Sequence, residues 1–308
     1  MGGCAVTKGI PQWLKVHPDV AQALLNGEPI VALESTVITH GLPKPINLDL
    51  ARSMEGVIRD SGAIPATVAL FRGEIRMGLS PDELERLSLA EGSIKVSRRD
   101  LGAAVSKGLS GGTTVAATMY IAHAAGVSVF ATGGIGGVHR GTSGDISADL
   151  PELARTPVAV VCAGAKSILD LPRTLEWLET AGIPVMGFGT DTFPAFFSRE
   201  SDLPVSVRVD TVGEAANLIR THWRIGLESG LLLCVPCPEE TALTSREVER
   251  SLKEAEEKAQ AQGVTGKELT PFLLTRLSEL TKGGTLQANL ALLKNNARVA
   301  AGIAKALV

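Results

Sequence analysis

Residues 130–150, FATGGIGGVHRGTSGDISADL, and 157–170, PVAVVCAGAKSILD, decide how this 308-residue chain is read. In both, a short apolar run ends abruptly at small residues: VSVFA (127–131) stops at Thr132-Gly133, and the run through Val161 and Cys162 stops at Ala163-Gly164. Such runs read as buried strands, and their repetition with helical stretches between them is the pattern of a parallel sheet. The plan recurs at PIVALE (29–34), IPVMGFG (183–189), PVSVRVD (204–210) and LESGLLLCVP (227–236). One stretch, ATVALFRGEIRMGL (66–79), alternates around Arg72-Gly73 and reads as a hairpin. The expected fold is α/β, a three-layer α/β/α sandwich with a large, mostly parallel mixed sheet.

Helices are expected over 18–25, from Asn47 as cap to about Ser61, and from Ser80, an N-cap followed by Pro81. Further helices are read from Asp100, across GGTTVAATMYIAHAAG (111–126), over 245–262, after Thr270-Pro271, and over 286–308. No linker, repeat or low-complexity segment is visible, so one domain spanning 1–308 is expected, with about 1–16 as an N-terminal leader.

A chain that is 44% hydrophobic and 20% charged buries a substantial core. The net charge of −3 leaves no basic field for a nucleic-acid backbone. No apolar run reaches the roughly 18 residues of a membrane span. Cys4, Cys162, Cys234 and Cys237, with no secretory signal, point to a reducing compartment, cytoplasmic or organellar. The opening MGGCAVT misses an acylation pattern because Val6 stands where Ser or Thr is needed. Pro236 and Pro238 hold Cys234-Val-Pro-Cys237 extended, unlike a redox pair at a helix start.

Chemistry concentrates at strand ends, where open α/β sheets bind ligands. The turn Gly133–Gly137 could turn backbone N–H groups toward an anion, with His139 and Arg140 as cationic donors, or could be a packed turn. It matches neither the dinucleotide fingerprint nor a P-loop, because His139 stands at the third glycine position and no Lys-Ser or Lys-Thr follows. Asp145 and Asp149, with Ser147 between them, would share a helical face and suit Mn2+ or Mg2+; helix capping explains the same spacing. Lys166, just past a buried strand, is a candidate amine nucleophile or a snorkelling surface lysine. Glu34 ends another strand and could move protons, or could be an ordinary hydrogen-bonded carboxylate. In SIKVSRRD (93–100), Lys95, Arg98 and Arg99 alternate faces, so only some point inward. His123, in a helix of small residues, reads as core or interface.

Taken in order, VALESTVITHGLPKP (31–45), GAIPATVAL (62–70), KVSRRDL (95–101), GGTTVAATM (111–119), FATGGIGGVHRG (130–141), DISADL (145–150), VVCAGAKSILDLPRTLEWLETAGIPV (160–185), PAFF (194–197) and GKELTPFLL (266–274) resemble the pseudouridine-5'-phosphate glycosidase, or indigoidine synthase A-like, family. The resemblance spans about residues 14–305. It implies reversible cleavage of the C–C glycosidic bond of pseudouridine 5'-phosphate to uracil and ribose 5-phosphate, in pseudouridine catabolism. Lys166 matches the residue that forms an imine adduct at C1' of the sugar, and Glu34 the proton-transfer residue. Asp145 matches the manganese-binding aspartate, with one Mn2+ per subunit. Lys95, Val115 and the run Ser147, Ala148, Asp149 match substrate contacts. His139 and Arg140 are expected at phosphate, and Asn289, in LQANLALL (286–293), at uracil. A homotrimer is implied as well. The loop Thr142-Ser143-Gly144 is shorter than relatives carry, which bears on the metal's outer shell. The rival readings are a lysine-dependent lyase or aldolase on another sugar phosphate, and a non-catalytic sugar-phosphate binder that lacks turnover.

Overall fold

The computed structural model describes residues 9–141, 144–264 and 269–308. The MGGCAVT start with Cys4, the Thr142-Ser143 pair and the beginning of GKELTPFLL lie outside the described residues.

In chain order, β1 (Leu14–Val16) and α1 (Pro18–Asn26) precede β2 (Ile30–Leu33), a π-helical turn at Val37–Gly41, and α2 (Ile46–Asp60). The hairpin of β3 (Ile64–Phe71) and β4 (Glu74–Met77) leads to α3 (Pro81–Leu89), β5 (Ile94–Val96), α4 (Leu101–Ser106), β6 (Gly111–Thr113) and α5 (Val115–Ala125). Next come β7 (Val129–Ala131), β8 (Val138–His139), α6 (Asp149–Leu153), β9 (Ala159–Cys162), β10 (Leu169–Asp170) and α7 (Leu171–Thr180). The remainder is β11 (Val185–Phe188), β12 (Val207–Val209), α8 (Val212–Arg224), β13 (Leu231–Cys234), α9 (Ser245–Ala261), α10 (Leu269–Leu280) and α11 (Gly284–Leu307).

The main sheet runs β1-β4-β3-β2-β7-β9-β13-β11-β12, with β6 paired to β3 and β5 to β6. From β3 to β12 along this path every pairing is parallel, and β3 pairs antiparallel with β4 and β6. β2, β9 and β13 are buried along their whole length, as parallel strands covered on both faces must be. Helices α2, α8 and α11 pack together, with α11 lying across β2, β7 and β9; α5 and α6 pack together, with α5 against β2 and β7. The mixed α/β sheet flanked by helices agrees with the expectation.

Two local readings need correction. Pro45, not Asn47, precedes α2. Asn47 is buried instead, and its side-chain N–H groups donate to Ile38 O at 2.9 Å and Ser88 O at 3.0 Å, tying the π-helical turn to the end of α3. Residues 111–113 form β6 rather than the start of a helix. A Cβ on Gly112 would sit 2.4 Å from Thr39 Oγ1 and 2.7 Å from Ser35 O, so only glycine lets this strand press on the turn that follows Glu34. Ser80 does cap α3, in a capping box with Glu83.

From β2 the chain crosses through α2 to β3 on one side, and from β7 through α6 to β9 on the other. The gap between the ends of β2 and β7 is therefore the topological switch point, where an α/β sheet opens a crevice.

Candidate active site

A cleft of about 790 Å³ opens at this switch point. Glu34 follows β2, Thr132 and the first glycines follow β7, Lys166 follows β9, and Lys95 comes from β5. Helix α11 supplies Asn289 and Leu293, and α10 supplies Leu274. The cleft is thus polar at the strand ends and apolar where α10, α11 and Phe196 wall it.

Glu34 is buried, and each carboxylate oxygen accepts a short hydrogen bond, from Thr36 Oγ1 and from Thr132 Oγ1. The carboxylate is held by a hydroxyl from either side of the switch point. Asn296, fully buried on α11, donates to Thr132 O at 2.8 Å and holds the backbone of that second threonine.

The Lys166 side chain lines the cleft, with no hydrogen bond or ion pair to it among the described residues. Its backbone is fixed: Lys166 N donates to Ile135 O at 3.1 Å, and Leu169 N to Lys166 O at 3.0 Å. The ribbon of β8 and β10 pairs His139 with Leu169, so the His139 side of the glycine turn and the Lys166 turn form one frame. Lys95 exposes area that is cleft surface. Enclosure by the cleft walls lowers its pKa, and the nearby Lys166 charge lowers it further, against the opposing pull of Glu34 and Asp149. His40 also lines the cleft, its pKa lowered by burial and then by Lys95, and its Nδ1 sits 2.7 Å from Thr39 Oγ1.

The glycine run does less anion cradling than its composition implies. Ile135, Gly136, Val138 and His139 already spend their N–H groups on Gly164 O, Asp149 Oδ2, Thr174 Oγ1 and Asp145 O. The glycines permit close crossing: a Cβ on Gly136 would lie 2.1 Å from Ser147 Oγ, and one on Gly137 2.4 Å from Thr174 Oγ1. Gly133 and Gly134 line the cleft, the latter under the ring of Phe196, which is held at φ 62, a conformation costing about 1–3 kcal/mol.

The structure therefore brings Glu34, Lys95, His139, Asp145, Lys166 and Asn289 to one cleft. Val115, Ser147, Ala148, Asp149 and Arg140 are not among its lining residues. Asp145 and Asp149 do not share a helical face, because α6 begins at Asp149. Asp149 is buried and accepts from Ala116 N at 3.0 Å and Gly136 N at 2.8 Å, so it anchors α5 and the glycine turn. Val115 is buried at the start of α5 and Ala148 is exposed. The guanidinium of Arg140 engages Glu249 and the carbonyls of Ser167 and Leu169. Thr36, His40 and Thr132 were not singled out from sequence; the Glu-Ser-Thr and Ala-Thr-Gly junctions after two buried strands were the available signal.

Asp145 stands exposed at the rim, 3.8 Å from His139 Nε2. No group of three or more His, Cys, Asp or Glu side chains suited to a metal occurs among the described residues. One carboxylate at an open rim fits a hard cation that keeps its waters and shares a phosphate, and it does not fit a closed all-protein cage. His123 is exposed, not core. Cys162, Cys234 and Cys237 are free and buried. Burial, with Cys162 alongside, pushes the Cys234 thiol well up, which keeps it protonated and unreactive.

Among known proteins, a curated pseudouridine-5'-phosphate glycosidase from Methylobacterium nodulans is 56% identical over 296 residues, covering 96% of this chain and 88% of the relative. Another, from Caldanaerobacter subterraneus subsp. tengcongensis, is 52% identical over 295 residues, covering 95% and 96%. The crystal structure of the prealnumycin C-glycosynthase AlnA in complex with ribulose 5-phosphate superposes with a TM-score of 0.90 at 40% identity, over 96% of this chain and 97% of that one. An indigoidine synthase A-like protein from Thermotoga maritima superposes with a TM-score of 0.87 at 38% identity, over 99% and 98%. The family description "Indigoidine synthase A like protein" matches residues 19–306, and with these full-length relatives it establishes that the chain belongs to the indigoidine synthase A-like family.

Proposed function

We propose that this protein cleaves the C–C glycosidic bond of pseudouridine 5'-phosphate to uracil and ribose 5-phosphate, reversibly, through a lysine imine. The observation that carries the reading is one cleft holding a hydroxyl-fixed carboxylate, Glu34, and an amine with no ion-pair partner among the described residues, Lys166. The names of the full-length relatives support the substrate, and a C-glycosynthase with a pentulose phosphate supports the bond class.

A carbon leaving group cannot depart as a heteroatom does, so two carboxylates of the ordinary glycosidase kind do not suffice. Glu34 delivers a proton to the ring oxygen as the C1'–O bond breaks and the Lys166 amine bonds to C1', and the nitrogen, cationic on forming that bond, returns a proton to the Glu34 carboxylate. Glu34 then gives that proton to the uracil carbon. The C1'–C bond pair passes to that carbon while the nitrogen lone pair closes C=N. Water adds to the imine and releases ribose 5-phosphate and the free amine. In this reading Lys95 and His139 donate to the phosphate, Asn289 reads the uracil edge, and the base rests against Leu274 and Leu293, all of them residues of the cleft lining. Asp145 would hold Mn2+ at the rim, where the ion supplies charge neutralisation for phosphate. A homotrimer is carried as a proposal, tested by light scattering of the eluted protein.

With Mn2+ present, the purified chain is expected to convert pseudouridine 5'-phosphate to uracil and ribose 5-phosphate, read by chromatography. Absence of uracil from a folded protein that still binds ribose 5-phosphate refutes the assignment. Borohydride is expected to trap one sugar on the wild-type chain and none on Lys166→Ala.

A further inference from the structure

Arg140 lies next to His139 in sequence, yet its guanidinium is committed away from the cleft lining. Nη2 donates to Ser167 O at 3.3 Å and Nε to Leu169 O at 3.2 Å. Nη1 and Nη2 reach the Glu249 carboxylate at 3.3 and 2.8 Å, and Glu256 stands 4.0 Å from Nε. Ser167 and Leu169 are the residues that carry the chain away from Lys166, and Leu169 N closes the same turn on Lys166 O. The other edge of the turn is held by Ile135 O and by the β8–β10 ribbon. Both carboxylates belong to α9, which packs on α10, the helix that gives Leu274 to the cleft wall.

We propose that Arg140 is a positioning residue for the reaction: it clamps the turn after Lys166 to α9 and so fixes the point from which the lysine amine attacks the sugar carbon. This inference rests on the reading of Lys166 as the imine-forming amine. A lysine amine sits at the end of a flexible stem, so its reach depends on where its Cα is held. Lys166 lies in the segment between β9 and β10, and the carbonyls of 167 and 169 at its far end take their donor from Arg140. A planar guanidinium bridges both carbonyls while a carboxylate fixes its far side, a geometry that an ammonium does not reproduce. A displacement of about 1 Å at an attacking group costs on the order of 100-fold in rate.

The test uses the full chain with Mn2+, ribose 5-phosphate and sodium borohydride, following adduct formation by mass spectrometry, with ribose 5-phosphate affinity measured separately. Wild type is expected to form the adduct. Arg140→Lys is expected to form it about 10- to 100-fold more slowly, with affinity for ribose 5-phosphate held within about threefold. If Arg140→Lys is not folded by circular dichroism, Glu249→Gln carries the same expectation at about threefold or more, since it loosens the carboxylate that aims the fork. Adduct formation at the wild-type rate in the folded variant overturns the inference and leaves the reading of Lys166 intact. Weakened affinity with an unchanged rate overturns it in favour of direct phosphate contact. Failure of wild type itself to form an adduct overturns the reading of Lys166, and the inference with it.

Discussion

Thr36 and Thr132 each give Glu34 one hydroxyl hydrogen bond, and the two oxygens of the carboxylate are thereby fixed in the plane the threonines define. Hydrogen bonds to a charged group contribute about 1.5–3 kcal/mol, and tenfold in rate corresponds to about 1.4 kcal/mol. Thr132→Val is therefore expected to lower kcat by roughly 10- to 100-fold with little change in KM, measured by steady-state kinetics of uracil release. Lys95 makes a prediction of opposite sign for stability. Its folded-state pKa is lowered by desolvation and by Lys166, so below that value both folded and unfolded chains carry the proton and the folded one bears the penalty in full. As pH climbs from the lowered value toward 10.5, the unfolded chain binds more protons than the folded one, and stability rises. Lys95→Met is thus expected to raise the unfolding temperature at pH 7, with the gain over wild type shrinking toward pH 10.5, while turnover falls; a lower unfolding temperature at pH 7 contradicts this account.

The connections after β7 and β9 are where whole elements depend on single glycines. Gly164 has φ 85, and a Cβ there would lie 2.3 Å from Pro194 O, in the segment that also carries Phe196. Gly182, at the end of α7, has φ 69 but nothing within 4 Å of its virtual Cβ. Alanine at 182 is expected to cost about 1 kcal/mol from backbone strain alone. Alanine at 164 adds overpacking of about 1–3 kcal/mol and displaces the 194–197 turn from the cleft. Denaturant unfolding of the two variants measures the difference, and equal losses would show that the close approach at 164 does not matter. The same elements show what patterning reads well. Apolar runs bounded by turn residues located β2, β7, β9, β11, β12 and β13, and Ser80-Pro81 located the start of α3, because burial and capping act within a few residues. Asn47 and the Gly111-Gly112 pair were misread because their conformations answer to partners far along the chain, Ser88 for the first and Ser35 and Thr39 for the second.

Across the molecule, the ends of the parallel strands β2, β7 and β9 form the floor of the cleft, while α10 gives Leu274 to its wall and packs on α9, which Arg140 ties to the turn after Lys166. Hydrogen exchange is expected to be slowest in β7, β9 and β13, whose residues are all buried, and fastest in the exposed face of α9 and at the edge strands β1 and β12. Protection in α9 equal to that of β9 would contradict the division into floor and wall. Sequence alone determined the α/β class, the positions of most strands, and the chemical identity of the groups near their ends: Glu34 and Lys166 are legible because a charged residue just past a buried strand stands out, and Lys95 because it sits within the short strand read in SIKVSRRD. The family followed from ordered motifs along nearly the whole chain. Only the tertiary structure decided which of those groups meet. The order β3-β2-β7-β9 sets Glu34 beside Thr132 across 98 residues and leaves Arg140, adjacent in sequence to His139, outside the cleft. The physical reason is that strand patterning records burial, which each run expresses by itself, whereas strand order and side-chain direction are settled by packing and hydrogen bonding between segments that carry no mark of one another.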